Sequence, residues 1–508
     1  MRLLMRSILA SLERPTEGTS TAKRIVHGIS WQLLTAPMSR LFAFLVNILQ
    51  ARLLGKAGYG ELGMALSTLT FFSLFATASA GNTCTKFIAE LRVTDKARAE
   101  RICGVSLQAM LILAFVGAVL CYLLAPYIAV VVLRNPALTA LLRLCAISLI
   151  LQTLEGALSG ILFGFQSFRA PSIANALQVA AWLPLTYVLI VRSGIVGAMW
   201  AFTLSHALCV IALAVATVQE LKAEQFRIRW RDAWQESGVL WRYSFPMILH
   251  GVLCVPTVWL TNAILARQPN GYLQLGAYNA AFTFRTAVIQ VPMIMQGVAM
   301  PFLSELSGAS DFERFSLLFD RLVRVSWGVG LAAAIAVSLF GRSLMQLFGR
   351  EFRTDSAIMA LVMAVAATSL LSSLTGAALQ ALGLVWTALW ANVFYAAASI
   401  ALAWYLVPRL SGIGLALSFV LSTFLQAFVL LFLLSNKIHS TRLWTHTLLG
   451  GLSSVLISSL ALSPASIRVL CVAAAMVALW TAGVPAMVAR IRGQFTNAPE
   501  SAACISPL

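Results

Sequence analysis

The sequence contains few charged residues and few cysteines. Of its 508 residues only 11% are Asp, Glu, Lys or Arg, whereas a soluble domain carries about 25%. With 60% hydrophobic residues and a mean hydropathy of +0.86, the chain is too apolar to be disordered. Eight cysteines are too sparse for a secreted disulfide scaffold, and they lack the C-x-x-C spacing of zinc or redox sites. The composition therefore predicts an integral membrane protein.

Sequence motifs for nucleotide and metal chemistry are also missing. The chain has no G-x-x-x-x-G-K-[ST], H-E-x-x-H or G-x-S-x-G motif, so we predict no ATP site, no cofactor, no metal and no enzymatic activity. The pattern G-x-G-x-x-G does occur from Gly58 to Gly63. A dinucleotide site would need a strand before this pattern and a helix after it in a parallel sheet. We instead place these glycines in the turn between the first two membrane spans.

Fourteen apolar segments are long enough to span a membrane. A helix needs about 20 mostly apolar residues to cross the hydrocarbon core, and the polar stretches between the segments are too short for an extramembrane domain. The sequence thus predicts an all-α polytopic membrane protein with about 14 transmembrane helices. The predicted spans are residues 26–51, 62–84, 103–125, 138–163, 171–191, 195–218, 239–266, 275–302, 320–340, 356–381, 384–407, 412–435, 446–463 and 467–489.

Basic residues alternate in number from loop to loop. If the N-terminus is cytoplasmic, 23 of the 36 Lys and Arg residues fall on the cytoplasmic side and 11 on the opposite side. Cytoplasmic loops accumulate Lys and Arg, so this pattern predicts that both termini are cytoplasmic. The net charge of +18 is then explained by topology, and binding of nucleic acid is not predicted.

An internal repeat relates the two halves of the chain. The segment GYGELGMALSTLTF from Gly58 is echoed by GYLQLGAYNAAFTF from Gly271, and SGIVGAMWAFTLSHA from Ser193 by SGIGLALSFVLSTF from Ser411. Each copy contains six predicted spans, an even number, so both copies start on the same side of the membrane. The repeat predicts two pseudo-symmetric six-helix lobes around a central cavity, with two further helices at the C-terminal end.

The predicted spans and the repeat divide the chain into four regions. The N-lobe is 1–218, a cytoplasmic amphipathic linker is 219–238, the C-lobe is 239–435, and 436–508 holds the last two spans and a cytoplasmic tail. Within the linker, the aromatic side chains Phe226, Trp230 and Trp234 recur every four residues among basic ones. This spacing predicts a helix lying on the cytoplasmic membrane surface.

Two arginines, Arg40 and Arg285, lie inside predicted spans. An arginine at a helix centre costs about 2.5 to 3.5 kcal/mol even on the most lenient scale, so an interaction must offset it. At 1.5 Å per residue both lie roughly 18 to 20 Å below the outer boundary, one in each lobe. A planar guanidinium suits phosphate or pyrophosphate bidentately. We predict that the two arginines bind an anion, the alternative being a structural ion pair with an acid such as Glu155.

Glu155 is a carboxylate deep in an apolar run of the fourth span. Such a residue is expected to face the bundle interior, where it either pairs with a base or carries a proton during transport. Beside it, Gly156, Gly160 and Gly164 form a small-x-x-x-small ridge that predicts close packing of a neighbouring helix. His206 also lies in a span, where a hydrogen-bonded residue inside the bundle is the expected role rather than a metal ligand.

Four short segments resemble a known family of transporters. ARLLGKAGYG at 51–60, GFQSF at 164–168, GAYNAA at 276–281 and PFLS at 301–304 are similar to the corresponding segments of Wzx-type polysaccharide flippases. These belong to the multidrug/oligosaccharidyl-lipid/polysaccharide exporter (MOP) superfamily, whose members have twelve or fourteen helices in two lobes. The resemblance covers nearly the whole chain.

The resemblance implies that the chain flips undecaprenyl-pyrophosphate-linked oligosaccharide units across a bacterial inner membrane, driven by a proton or sodium gradient. In relatives, cationic residues of the central cavity bind the anionic lipid-linked substrate, which implies this role for Arg40 and Arg285. Other partners implied are membrane lipids and polysaccharide assembly proteins such as a polymerase and a chain-length regulator. Exopolysaccharide, O-antigen and capsule are the products that such flippases serve.

This chain departs from the family pattern in span seven. Relatives often carry an acid there, whereas this chain has Thr261 and Asn262. Coupling through a proton on Glu155, or through an ion held by neutral oxygens, remains open. Asn262, Asn175 and Asn392, of which the last two align in the repeat, are secondary candidates for polar groups of the cavity.

Two other classes of protein are compatible with parts of the pattern. An exporter of small drugs or of the peptidoglycan lipid precursor would share the fold. A membrane-embedded glycan polymerase would need a large periplasmic loop with polar catalytic residues, and the longest outer loops predicted here, 340–356 and 125–138, are short.

Overall fold

The computed structural model of the chain describes residues 21–239 and 245–435, which form helices and no β-strand. We number the ten α-helices in chain order. They are α1 Thr21–Leu91, α2 Lys96–Tyr127, α3 Leu138–Gly164, α4 Arg169–Ala223, α5 Phe245–Ala266, α6 Gly271–Gly308, α7 Phe312–Leu339, α8 Gly341–Gln346, α9 Ser356–Ala381 and α10 Val385–Ser435. A π-helical turn, Ile128–Val132, extends α2, and 3-10 turns cover Ala233–Glu236 and Arg350–Asp355.

The predicted all-α membrane fold is confirmed. In the described part of the chain seven helices are long and apolar enough to cross a membrane, or eight if the two parts of α6 count as one span. The helices α1, α4 and α10 each cover two predicted spans. All predicted spans between residues 26 and 435 lie on helices where the structure describes them, to within a few residues. The last two predicted spans and both termini lie outside the described residues. The total of fourteen spans therefore stays a prediction.

The helix α1 breaks at Gly55, which has φ 69° and ψ 176°. The turn between the first two spans is therefore at Gly55, and our placement of Gly58 to Gly63 in that turn is wrong, because these glycines lie in the second half of α1. Their role is close packing. A Cβ atom on Gly60 would lie only 1.9 Å from the carbonyl oxygen of Tyr272 on α6, so the two backbones touch there.

The helix α4 breaks at Ser193 and Gly194, the latter with φ 54° and ψ −133°. In the second copy of the repeat, Ser411 interrupts α10 with nearly the same angles, φ 49° and ψ −126°. Backbone with a positive φ of this kind favours glycine, because glycine lacks a Cβ atom.

The glycines that follow these two breaks also correspond. A Cβ atom on Gly197 would lie 1.9 Å from the carbonyl oxygen of Leu189, and one on Gly414 would lie 2.4 Å from that of Leu406. Each glycine follows the residue with positive φ by three positions and contacts a carbonyl eight positions before it. The same helical reversal thus occurs in both copies, shifted by one residue from the sequence alignment that pairs Ser193 with Ser411.

The described residues fall into two compact units. Unit 1 contains the described residues up to Ala280 together with Gln346–Phe352 and Ala403–Leu415, and unit 2 contains Ala281–Met345, Arg353–Leu402 and the described residues from Ala416 onward. In unit 1, α1, α2, α3 and α4 pack against one another. In unit 2, α9 packs against α7, and most residues of α9 are buried. The predicted lobe boundaries at 218 and 239 stay predictions.

The linker after α4 is not the interfacial helix that its aromatic spacing predicts. Residues 226–230 form neither helix nor strand, and Ala233–Glu236 forms a 3-10 turn. The reason is a buried carboxylate on α2. Glu100 accepts hydrogen bonds from the backbone N–H of Arg227 at 2.8 Å and from Nε of Arg229 at 3.0 Å, and these bonds hold the linker against α2. Phe226 is buried in the core of unit 1.

Candidate functional site

Arg285 lies on α6 in unit 2 and is half-buried. Its Nη2 donates a 3.3 Å hydrogen bond to Oγ of Ser369 on α9, and its guanidinium lies over the ring of Phe282, 5.2 Å from the centroid. Its Nε is buried and has no hydrogen-bond partner among the described residues. A buried donor without a partner costs about 1 to 3 kcal/mol, and more when it is charged. The Arg285 guanidinium therefore has unused capacity to bind an anion.

Arg40 lies on the first half of α1 in unit 1, three residues after Pro37, and its side chain is exposed. Its position is roughly 22 Å along the helix from the break at Gly55, at 1.5 Å per residue. Within the described residues, no hydrogen bond or ion pair involves its guanidinium. The structure thus leaves Arg40 open to its surroundings.

The partner of Glu155 is a histidine. Oε2 of Glu155, on α3, lies 2.6 Å from Nδ1 of His206 on the second half of α4. Nε2 of Gln178, on the first half of α4, lies 2.8 Å from the same Nδ1. The Glu155 and His206 side chains are 21% and 14% exposed, and Gln178 is buried. We call these three residues the Glu155 cluster.

The surroundings of the Glu155 cluster are aromatic and apolar. The ring of Phe202 packs edge-on against His206 with centroids 4.4 Å apart, and Trp182 packs on Phe202 at 5.6 Å. The thiol of Cys209, on the second half of α4, lies near Glu155. The cluster belongs wholly to unit 1. A histidine partner is compatible both with a Glu155 that pairs with a base and with a Glu155 that carries a proton. No described ion pair joins Glu155 to an arginine.

Asn262 lies on α5, within the seventh predicted span. It is buried, its Nδ2 donates a 3.5 Å hydrogen bond to Oγ of Ser67, and its Oδ1 has no hydrogen-bond partner in the described part of the chain. Thr261 donates to backbone carbonyls of its own helix. The neutral oxygen of Asn262 is therefore the available acceptor at this position.

The two asparagines aligned by the repeat have different surroundings. Asn175 on α4 is exposed. Asn392 on α10 is half-buried, and its Oδ1 accepts a 2.8 Å hydrogen bond from Nε2 of Gln426. Their alignment in sequence does not correspond to a shared set of contacts.

Sequence reasoning missed three polar partners that the fold brings to these residues: Gln178, Ser369 and Gln426. Gln178 is the lone amide in the run ALQVAAWLPL, which was a usable signal, while Ser369 is an ordinary small residue of an apolar helix. The prediction that His206 is hydrogen-bonded inside the bundle is confirmed. Over residues 21–239 and 245–435, no group of three or more His, Cys, Asp or Glu side chains could hold a metal.

Structures of known transporters share this fold. The chain is similar to lipid II flippase MurJ in an inward closed conformation, with a TM-score of 0.69, 12% identity, and coverage of 90% of this chain and 99% of the other. It is also similar to a multidrug resistance MATE family transporter of the MOP superfamily in its inward-facing conformation, with a TM-score of 0.65, 18% identity, and coverage of 80% and 95%.

Two relatives are closer in sequence. The EPS I polysaccharide export inner membrane protein EpsE of Ralstonia nicotianae is 27% identical over 396 residues, which cover 75% of this chain and 88% of the relative. The protein of the same name from Ralstonia solanacearum is 25% identical over 413 residues, again 75% and 88%. The family model "Polysaccharide biosynthesis protein" matches residues 25–307. Because that match extends over more than half of the chain and runs from α1 through α6, this membrane protein belongs to the polysaccharide biosynthesis protein family.

Proposed function

We propose that the chain is a flippase that moves undecaprenyl-pyrophosphate-linked oligosaccharide units from the cytoplasmic to the periplasmic leaflet of a bacterial inner membrane. Its product would supply exopolysaccharide, O-antigen or capsule assembly, alongside a polymerase and a chain-length regulator. A transport role in polysaccharide export is supported by the family and by the names of its relatives. The fold shared with a lipid II flippase supports a lipid-linked substrate.

The observation that carries the proposal is the Arg285 guanidinium with its unused, buried Nε. A pyrophosphate offers several oxygen acceptors, and a guanidinium binds such groups through two parallel hydrogen bonds. A substrate phosphate would satisfy Nε and neutralise a charge inside a predicted span that has no carboxylate partner among the described residues. Arg40, which is exposed, is proposed as a further contact for the anionic substrate.

We further propose that an ion gradient drives alternating access, because the sequence has no ATP-binding motif. The coupling ion would be a proton at Glu155 or a cation near the neutral oxygen of Asn262. Asn175 and Asn392 remain proposed polar contacts for the sugars.

The test is complementation of a strain that lacks its own copy of the gene. Arg285→Ala and Arg40→Ala should insert at normal abundance but lose surface polysaccharide, while Lys at either position keeps the charge, loses the bidentate geometry and should retain partial export. Arg409→Ala is the matched control, since Arg409 is exposed and lies over the ring of Tyr405 on its own helix. This control should export normally.

Other outcomes have distinct meanings. If the arginines are structural, Arg→Ala should instead lower membrane abundance, because truncation leaves their partners unsatisfied. Normal export by the Arg40→Ala, Arg285→Ala double mutant at normal abundance would sink the anion-binding role. Rescue of a strain lacking its lipid II flippase, without any effect on polysaccharide, would instead identify the peptidoglycan precursor as the substrate.

A further inference from the structure

We infer that the Glu155 cluster is a proton-binding site in which the proton decides whether His206 bonds to α3 or to the first half of α4. The inference deepens the proposed function, on which its role in transport rests. Its existence as a proton site does not depend on the identity of the transported substrate. Two contacts on one ring nitrogen and the break in α4 support it.

The Nδ1 atom of a histidine has a single in-plane bonding position. It carries either a proton, which it donates, or a lone pair, which accepts. The structure places two groups with opposite requirements on this one atom, the Glu155 carboxylate at 2.6 Å and the amide nitrogen of Gln178 at 2.8 Å. An ionised Glu155 requires Nδ1–H, whereas the Gln178 amide N–H requires a bare Nδ1.

The position of the proton therefore redirects a hydrogen bond between helices. With a proton on Nδ1, His206 donates to Glu155 and links the second half of α4 to α3. With Nδ1 bare, His206 accepts from Gln178 and links the two halves of α4 across the break at Ser193 and Gly194. A single proton thus changes which element holds the second half of α4.

Burial makes the cluster responsive to protons. With a neutral imidazole and an ionised Glu155 the pair carries a net charge of −1, and one added proton brings it to zero as imidazolium with carboxylate, in which Nδ1 carries a proton and donates to Glu155. A net charge inside the membrane is costly, so the fold favours binding the proton.

Few other titratable groups face the pair. On α4 the thiol of Cys209 lies near Glu155. Near this level Gly81 and Thr85 of α1 contact Gly160 of α3. The nearby Cys84 of α1 faces Cys103 of α2, their sulfur atoms 3.7 Å apart, and the Lys86 and Glu90 side chains of α1 are exposed. On α2 the Glu100 carboxylate accepts from Arg227 and Arg229, so Glu155 is the carboxylate in contact with His206.

In transport, the proton would bind from one side of the membrane and leave to the other. It comes from water, resides on the Glu155–His206 pair, and returns to water, with no covalent step. The alternative bonding of His206 then couples proton occupancy to the angle between the halves of α4. This is the coupling that a proton gradient needs to drive export.

The first part of the test measures proton binding directly. The full chain has five histidines, so the protein labelled with 15N-histidine in lipid nanodiscs should give few imidazole signals, and His206→Gln identifies the one of interest. We expect the His206 signal to titrate with pH. Glu155→Gln, which keeps a hydrogen-bonding amide but cannot ionise, should displace the midpoint by about one pH unit or more.

A matched control exists on the same two helices. Ser148 of α3 and Thr203 of α4 hydrogen-bond at 2.7 Å, both buried and neither titratable in this pH range. Ser148→Ala removes a contact between α3 and α4 but leaves the proton site intact, so the His206 titration should not change. An equal displacement in Ser148→Ala and Glu155→Gln would overturn the inference, as would a His206 signal that does not titrate.

The second part measures coupling. In complemented cells, Glu155→Gln and His206→Gln should reach normal membrane abundance. Export of polysaccharide by each variant should fall about tenfold or more and should no longer depend on external pH, because proton occupancy changes tenfold per pH unit away from the midpoint. Ser148→Ala should export with normal pH dependence. Normal, pH-dependent export by Glu155→Gln would overturn the coupling role. If instead His206 titrates as expected while the wild type restores no polysaccharide, the proton site stands and the proposed substrate is wrong.

Discussion

At the scale of single residues, the glycines of α3 show how much a spacing motif reveals. The sequence predicted a ridge of Gly156, Gly160 and Gly164 for close helix packing. A Cβ atom on Gly160 would lie 2.3 Å from the carbonyl oxygen of Gly81 on α1, whereas one on Gly156 would have no atom within 4 Å. The motif identified the packed face, but only the structure shows which glycine makes the backbone contact.

We predict that Gly160→Ala destabilises the protein by about 1 to 3 kcal/mol, because the added methyl group meets backbone and cannot be accommodated by a rotamer change. Gly156→Ala is the control on the same helix, one turn away, and should be neutral or slightly stabilising, since alanine favours helix. Thermal unfolding of the purified proteins in detergent gives both values. Equal melting temperatures for the two variants would contradict the packing described for α3.

For the candidate site, too, the sequence reveals the residues but not their contacts. Arg40, Arg285 and Glu155 could be found from sequence because a charge inside an apolar run is costly and therefore has a purpose. Their partners could not be found, since Ser369 is 84 residues from Arg285 and His206 is 51 residues from Glu155. Such pairings depend on which helix faces which, and periodicity alone does not determine that.

At the scale of elements, the linker after α4 shows where a spacing argument fails. Three aromatic residues at intervals of four predicted a helix, yet residues 226–230 are not helical, because Glu100 offers the linker a carboxylate acceptor that is 5% exposed. A distant side chain that satisfies backbone N–H groups outweighs a local pattern. Trp230 and Trp234 are nonetheless exposed, as the prediction of a surface segment required.

We predict that Glu100→Gln loosens the linker. Hydrogen bonds to a charged acceptor contribute about 1.5 to 3 kcal/mol, so proteolysis between Gln225 and Arg231 should become faster in Glu100→Gln. Glu90→Gln, at an exposed position of α1, is the control and should be cleaved at the wild-type rate. Unchanged cleavage of Glu100→Gln would show that the linker is held by other contacts.

The two helix breaks allow a prediction by comparison of the repeats. Ser411 adopts the left-handed conformation that Gly194 adopts in the first copy. A non-glycine residue in such a conformation costs about 1 kcal/mol or more. We therefore expect Ser411→Gly to raise thermal stability and Gly194→Ser to lower it. A lower melting temperature for Ser411→Gly, or a higher one for Gly194→Ser, would argue against the conformation assigned to these breaks.

At the scale of the whole molecule, the sequence predicted the all-α membrane fold and the position of the helices, because apolar length and the cost of exposed backbone in lipid leave few alternatives. The repeat predicted the matching reversals in α4 and α10. Which helices would form each compact unit was not predictable, since adjacency in sequence does not determine packing between apolar helices that all resemble one another.

Topology offers a separate whole-molecule prediction. The excess of Lys and Arg in alternate loops predicts that reporter fusions of alkaline phosphatase, which is active only in the periplasm, are inactive after Arg229 or Arg442 and active after Arg350. Reversed activities at these three sites would show that the orientation is wrong and would place the linker after α4 on the periplasmic side.

The measurement that tests the central claim most directly is lipid movement in reconstituted vesicles. Purified protein would be placed in liposomes containing a fluorescent oligosaccharide linked to undecaprenyl pyrophosphate, and its transfer between leaflets followed with a membrane-impermeant quencher. We predict rapid transfer by the wild type and by Arg409→Ala, slow transfer by Arg285→Ala, and partial transfer by Arg285→Lys. Transfer by the wild type no faster than in protein-free liposomes, or equal transfer by the wild type and Arg285→Ala, would contradict the account.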